Sequence, residues 1–590
     1  MCFLSFVVPH LKTFTFLYFS ILLMIERMFI RIKSTSKSQV KKVQICESIR
    51  SGSTIRQVIV RHVGMARDPQ QLEELMRLAD AIKKQIEKDR YGPFLFNLDD
   101  TPSNEDTTPL LADEVQCAIN HNDQQPTIKN LQVDLNNLTE EKRVVEGFHD
   151  IFGDLFQQLG FHQILTRKKS EVLKELVLAR IARPSSKHAS QEMLAADFGV
   201  NIDLDRIYRM MDALVEKKEL FEQKVYHATE LLCFGKINML LFDVTTLYFE
   251  SVEEDELRRF GYSKDQKFHS TQIVLALATT DKGLPIGYKT FPGNTADVST
   301  IQLALAEWRK TLSIGEVLVV ADAAMMSEAN LAALEETKIK YVIAAKLKTV
   351  FKKNPDAILK KRGELIHFQN EPYWKQEMKL SNGRRLVVTY NEKRAYKDKE
   401  DRRRVIEKVQ KKVGSGKNIK KLVSNRGYQK FLAVEGEGKI TFDEEKIAQE
   451  ELWDGLHGVI TNDAEADAGT LLALYRRLWV IEESFRIHKS DLSIRPIYHF
   501  KSERIEAHIL LCYLAFSLLR HAEYRIELQQ EKVSIQDVRR ALWRCQSSVL
   551  RDSSTGKLYQ VPSKLNEVSR KIYNTFGVLR NQRIREIEEL

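Results

Sequence analysis

The run Ile237–Phe249, INMLLFDVTTLYF, constrains this chain most, because it is apolar almost end to end and rich in Leu, Thr and Phe. Such a run is a strand buried inside a sheet. It follows a long helical stretch, so the hydrophobic period changes at Ile237. One residue does not belong in it. A buried, unpaired carboxylate costs several kcal/mol, and strand interiors avoid one unless something compensates. Asp243 therefore needs a purpose.

Further strands follow at Thr271–Ala278 and Leu284–Phe291, separated by the turn residues Asp281, Lys282 and Gly283. Thr300–Leu312 has the spacing of an amphipathic helix. Glu316–Ala321 is another buried strand, ending at Asp322, and a helix through Leu334 and a strand at Tyr341–Ala345 complete the series. Three strands, then helix, strand, helix, strand predict an α/β class with a ribonuclease-H-like core, a mixed sheet flanked by helices. The rhythm breaks near Leu347 and returns near Ala468. Between them, strand-like pieces at Leu386–Tyr390, Phe431–Val434, Lys439–Phe442 and Gly458–Thr461 alternate with basic stretches. Arg402–Arg404, Lys411–Lys412 and Lys420–Lys421 lie near Tyr390, Tyr396 and Tyr428. This reads as a β-rich basic insertion (347–467) within a core formed by 235–346 and 468–525. Its charge is either a solvated face or a DNA-backbone surface.

With 590 residues the chain is too long for one core. Its net charge of +10 and pI near 9.0 favour a polyanionic partner. Six scattered cysteines make neither a zinc knuckle nor a disulfide framework and fit a reducing compartment. Met1–Ile25 is apolar apart from His10 and Lys12 but lacks a basic n-region and a small-residue cleavage site, and the uncharged run Phe14–Ile25 is short for a spanning helix. Residues 1–27 are expected to be a mis-assigned leader, with Met28 the true start and a membrane anchor the alternative. Residues 28–130 are expected to form a small antiparallel sheet, a helix from Pro69 and a polar connector. Residues 131–234 read as helical. Met193–Gly199 and Ile207–Leu214 suggest a helix-turn-helix that meets DNA, although bundles use the same geometry. A helical tail is expected over 526–590.

Tyr475, Leu478, Glu482, Phe485 and Lys489 fall at alternating steps of three and four, which places them on one helix face. Glu482 stands where a core helix would carry Leu or Ala; a solvated glutamate paired with Arg486 is the alternative. For Asp322 the alternative is a helix N-cap. Two aspartates on strands and a glutamate on a helix, with no Cys or His beside them, suit Mg²⁺ or Mn²⁺ rather than zinc. A pair of such ions activates a water or a 3′-hydroxyl against a phosphodiester.

The chain resembles bacterial insertion-sequence transposases of the DDE class, in the group with a Tyr–Arg–Glu–Lys signature and an inserted β domain before the last acid. Tyr475, Glu482 and Lys489 match that signature; Leu478 replaces its arginine, with Arg477 one place early. FDVTTLYFES around Asp243, GYSKDQ at 261–266, PGNTAD at 292–297, VVADAAM around Asp322 and RPIYH at 495–499 carry the resemblance further, from Met28 to about Arg520. It implies that Asp243, Asp322 and Glu482 hold two Mg²⁺ or Mn²⁺ ions. It implies that Lys489 meets a phosphate near the cut end and that Tyr475 packs against terminal DNA. Arg486, Lys501 and Arg504 are further candidates for backbone contacts. The implied partners are the element's terminal inverted repeats and target DNA, bound by a homodimer on paired ends. The implied location is the bacterial cytoplasm, on the nucleoid when DNA is bound, and no membrane is expected. A metal-dependent nuclease without strand transfer and a silent DNA-binding descendant are the competing functions.

Overall fold

Three antiparallel strands, β1 (Met28–Thr35), β2 (Ser38–Ser51) and β3 (Thr54–Ala66), open the structure, a computed structural model. It describes residues 28–588 apart from 84–132, 234–236, 262–269, 360–362, 415–430, 436–438, 530–532 and a few isolated positions. The expected leader, most of the connector, the GYSKDQ motif beyond Gly261, and Lys420, Lys421 and Tyr428 lie outside the described residues.

A fourth strand, β4 (Leu138–Val145), leads into the helical region: α1 (Arg167–Ala182), α2 (Lys187–Met193), α3 (Leu204–Val215) and α4 (Lys218–Leu232). Ser186 starts α2 by accepting a hydrogen bond from Ala189 N at 3.2 Å. Gly199, at φ +73°, ends the wide turn that follows α2, a left-handed position that glycine fills without strain. The buried side of α3 is Ile207, Met210, Met211 and Leu214. Its exposed side mixes Asp205 and Asp212 with Arg206 and Arg209, so it carries no basic stripe of the kind a DNA-reading helix presents.

The central sheet follows. Its first strands are β5 (Met239–Tyr248), β6 (Gln272–Thr279) and β7 (Pro285–Pro292). Helix α5 (Asp297–Thr311), strand β8 (Leu318–Ala321), helix α6 (Glu328–Glu336) and strand β9 (Lys340–Ala344) come next. The strand order is β7-β6-β5-β8-β9, with β5–β6–β7 antiparallel and β5–β8–β9 parallel. It is a mixed sheet flanked by helices.

The inserted segment contributes β10 (Glu364–Phe368), β11 (Glu371–Lys379), β12 (Arg385–Tyr390), the long helix α7 (Glu392–Gly414), a hairpin of β13 (Leu432–Glu435) and β14 (Lys439–Phe442), and β15 (Leu456–Thr461). Among the described residues of the insertion, only that hairpin is a separate sheet. β15 pairs with β9, and β12, β11 and β10 follow, so the insertion extends the core sheet to nine strands. The triple arginine sits on α7, not on a connecting stretch. Arg402 is buried and held by Asp454 at 2.6 and 2.7 Å and by Glu451 at 3.2 Å. Arg403 is paired with Glu400 and Glu407. Both charges are paired within the chain, Arg402 in the interior and Arg403 at the surface.

The chain then runs through α8 (Ala468–Arg476), α9 (Trp479–Arg486) and α10 (Ser502–Glu527), and finally α11 (Ile535–Trp543), β16 (Gln546–Asp552), β17 (Leu558–Pro562), α12 (Glu567–Phe576) and β18 (Arg585–Ile587). The tail is therefore not all helical. β16 pairs with β4 across most of the chain, and β17 and β18 complete that sheet, a long-range pairing that local periodicity does not show. Helix α10 alone among the described helices is long and apolar enough to cross a membrane, but its apolar window is 89% buried in the protein. Its Arg520 donates to Lys282 O at 2.8 Å and Gly283 O at 2.9 Å, tying it to the β6–β7 turn.

The sheet has one apolar layer on each face. Phe242, Val244, Ala321 and Val319 join α5 and α6 on one side. On the other, Leu241, Leu247 and Val320 join α9, α10 and the helical region. Asp243 and Asp322 share the alternation of this second set and stand on that face.

Candidate active site

Parallel register brings the two aspartates together. Leu241 is opposite Val320 and Phe242 opposite Ala321, so Asp243 and Asp322 come next on neighbouring strands. Adjacent strands lie about 4.8 Å apart, which sets the spacing of the two backbones. At this point β8 ends. Asp322 turns the chain into a short 3₁₀ segment, its Oδ1 accepting from Ala324 N at 2.8 Å. The capping role is thus real, and it fixes the carboxylate at the carboxyl end of the strand, where α/β sheets place their ligands.

Glu482 arrives from α9. The chain does not present Tyr475–Lys489 as one continuous helical face. α8 ends at Arg476, and a tight turn follows in which Leu478 N bonds Tyr475 O and Val480 N bonds Arg477 O. After Arg486 the helix widens to a π turn over Ile487–Asp491. Glu482 is exposed in the first turn of α9, while Val480, Ile481 and Phe485 are buried beneath it.

Asp243, Asp322, Tyr475 and Glu482 line one open cavity of about 600 Å³. The Tyr475 phenol is pushed up to about 12 by burial, then by the negative charge of Asp322, with Glu482 and Asp243 adding to it and Arg394 opposing. One hydroxyl thus feels all three carboxylates. His457 of β15 lies against the Tyr475 ring at 4.5 Å between centroids. Burial, with the charge of Arg394, lowers His457 to about 3, and its Nε2 is buried without a hydrogen-bond partner among the described residues.

The facing wall comes from the insertion. Lys393, Arg394 and Lys397 on α7, with Glu371 and Tyr373 on β11, line the cavity, and Lys393 reaches Glu371 at 2.5 Å. Arg476 stacks over Tyr373 at 5.1 Å and donates to its hydroxyl. Reading the sequence did not single out these groups. The signal available was NEKRAYK, a helix start with basic residues one turn apart, and the neighbouring arginine triplet masked it.

The other predicted contacts lie elsewhere. Lys489 is in the π turn and does not line the cavity. Arg486 bonds Asp491 at 3.2 Å and Glu483 at 3.3 Å. Arg504 clasps Asp212 at 3.0 and 3.2 Å and lies over Tyr208 at 4.7 Å, so it ties α10 to α3. Lys501 is exposed at the start of α10. Arg477, the displaced arginine, is paired with Asp281.

Among the described residues, no three His, Cys, Asp or Glu side chains are gathered closely enough to hold a metal ion. The donor chemistry at the cavity nevertheless suits a hard divalent cation. Asp243 and Asp322 supply adjacent carboxylates, Glu482 a third, and no thiol competes.

The mixed sheet thus sets two register-adjacent aspartates and a helical glutamate at one cavity. Residues 235–518 match the family model of the transposase DDE domain, and this part of the chain is a DDE transposase domain. No curated protein matches the chain. Among solved structures, the chain is similar to a piggyBac transposase in a synaptic complex with hairpin DNA, at 12% identity and a TM-score of 0.33, covering 68% of this chain and 78% of that one.

Proposed function

We propose that this protein is an insertion-sequence transposase that binds the terminal inverted repeats of its element, cuts there, and joins the 3′ ends to target DNA. The observation that carries the reading is the register of Asp243 and Asp322 within the matched domain, with Glu482 on the same cavity. The order β7-β6-β5-β8-β9 supports a ribonuclease-H-like core.

Asp243 and Asp322, joined by Glu482, are the residues that would hold Mg²⁺ or Mn²⁺. When bound, such ions supply Lewis acidity toward a phosphodiester oxygen and lower the pKa of a water or 3′-hydroxyl. The chain's own groups do the rest. Tyr475, kept protonated, donates a hydrogen bond toward the carboxylates or a DNA oxygen. Lys393, Arg394 and Lys397 attract the phosphate backbone across the cavity, a sequence-independent contribution. Lys489 and Lys501 are assigned to DNA outside the cavity, and Arg486 and Arg504, paired with Asp491 and Asp212, to the support of that surface. Paired ends require two copies, and the setting is a bacterial cytoplasm.

The test incubates the full chain with Mg²⁺ and a duplex carrying the element's end, beside Glu482→Gln. Nicking at the end that needs metal and disappears in the variant while binding persists supports the reading. Binding without cutting in the wild type points to a silent descendant, and cutting without strand transfer to a nuclease.

A further inference from the structure

A second cavity, of about 480 Å³, lies where the end of α1 and the start of α2 meet the segment 493–499. Arg180, Lys187, Arg495, Ser185, His508 and Tyr498 are among its lining residues, and no carboxylate is. Arg180 and Lys187 are 3% and 6% exposed. Buried cations are ordinarily paired with carboxylates. Here neither has a carboxylate partner among the described residues, and each bonds only neutral groups.

Those neutral partners are few. Lys187 Nζ lies 3.1 Å from His508 Nδ1, while His508 Nε2 is 3.1 Å from Ile494 O. If Nε2–H donates to that carbonyl, Nδ1 accepts from Lys187, and one of three ammonium donors is used. Arg180 Nη1 donates to Leu492 O and Ser493 O, both at a long 3.4 Å. Burial and then the charge of Arg180 lower Lys187 to about 7. An anion between the two cations would offset both causes by favouring the charged form of Lys187.

The surroundings narrow the anion's identity. Three cationic side chains, two of them guanidinium forks, suit a tetrahedral oxyanion better than a single carboxylate. Tyr498 at the cavity is 67% exposed, and Phe500 just beyond is 71% exposed, an unusual pair of solvent-facing aromatics. The cavity is also coupled to the active site. Arg495 lies over the ring of Tyr248, at the end of the strand that bears Asp243, at 4.3 Å. Arg180 holds the backbone that leaves the π turn after α9.

We propose that this cavity receives one backbone phosphate of the bound DNA, held by Arg180, Lys187 and Arg495. It rests on the reading of the protein as a DNA transposase. The seated phosphate would lock the helical region against the segment that follows Glu482.

The experiment compares wild type, Arg495→Gln and Lys187→Met in two assays. The first is thermal unfolding with increasing inorganic phosphate, against chloride at equal ionic strength. The second is DNA binding over a range of salt. Expected are a saturable rise in Tm with phosphate in the wild type that both variants lose, DNA affinity roughly tenfold lower in each variant, and a log K against log salt slope shallower by about one. Arg495 is partly exposed, so Arg495→Gln tests the idea even if Lys187→Met fails to fold. A wild type that binds DNA while Arg495→Gln keeps its affinity, slope and phosphate response overturns the pocket and leaves the transposase reading intact. A wild type that binds no DNA overturns the phosphodiester assignment together with that reading, and a surviving phosphate response would then mark a site for a free phosphate ligand.

Discussion

Asp243 and Asp322 stand side by side, one residue beyond the register pair Phe242–Ala321, on the sheet face that α9 and α10 cover. Two like charges on neighbouring strands repel, and a bound divalent cation would relieve that. Each of Asp243→Asn and Asp322→Asn should therefore cut the rate of DNA nicking by about 10³-fold, the loss of several kcal/mol of transition-state stabilisation. Each should also leave Tm equal or raise it in metal-free buffer. A variant that loses stability along with activity would show that the carboxylates serve the fold instead.

Asp243 could be read from the sequence because a carboxylate in so apolar a strand has no bland explanation, and Asp322 because it ended another such strand. The core strands and their order were legible for the same reason. What local pattern could not show is pairing between distant segments. β12 looks like a strand, yet nothing in Arg385–Tyr390 says that it will extend the core sheet through β15. β16 and β17 were absorbed into an expected helical tail, because β4, the strand that anchors β16, lies some 400 residues earlier. The Tyr475–Lys489 face misled through winding. A periodicity argument assumes a constant pitch, and the tight turn at Arg477–Leu478 and the π turn at Ile487–Asp491 break it on both sides of Glu482.

The arginine triplet offers a contrast within three residues. Arg402 is buried against Asp454 and Glu451, and its removal would leave Asp454 without its bidentate partner. Arg402→Ala should destabilise the protein by about 3 kcal/mol, near the low end for a broken buried pair because Glu451 is half exposed. Arg403→Ala, on the solvent side, should leave stability nearly unchanged. Urea unfolding of the two variants checks the pair, and equal effects would contradict the arrangement.

Glu222 of α4 is 3% exposed, and burial is the main reason its carboxyl is raised to about 7; the nearby Glu506 and Glu219 add to this, and Lys218 and Lys289 oppose it. The unfolded chain ionises this group near 4.5. Between those values the folded state binds more protons than the unfolded state, so stability falls as pH rises from about 4.5 to 7. Glu222→Gln should flatten that part of the profile and stabilise the protein at neutral pH. Denaturant midpoints at pH 5 and pH 7.5 measure it, and an unchanged difference between them would refute the assignment.

His457 touches Tyr475 at the heart of the candidate active site and invites the role of a general acid or base. Its environment argues against that. Burial and the positive charge of Arg394 lower it to about 3, so the ring is neutral at any pH at which the protein would cut DNA. Tyr475, pushed up to about 12, is equally unable to change charge there. The pair therefore positions groups and does not shuttle protons. His457→Asn should lower the cleavage rate by a constant factor across pH 6 to 9, with the shape of the profile retained. Tyr475→Phe, which keeps the ring and removes the hydroxyl near Asp322, Glu482 and Asp243, should behave likewise. An inflection near 6.5 that is present in the wild type and missing in His457→Asn would mean that the histidine titrates in the functional complex.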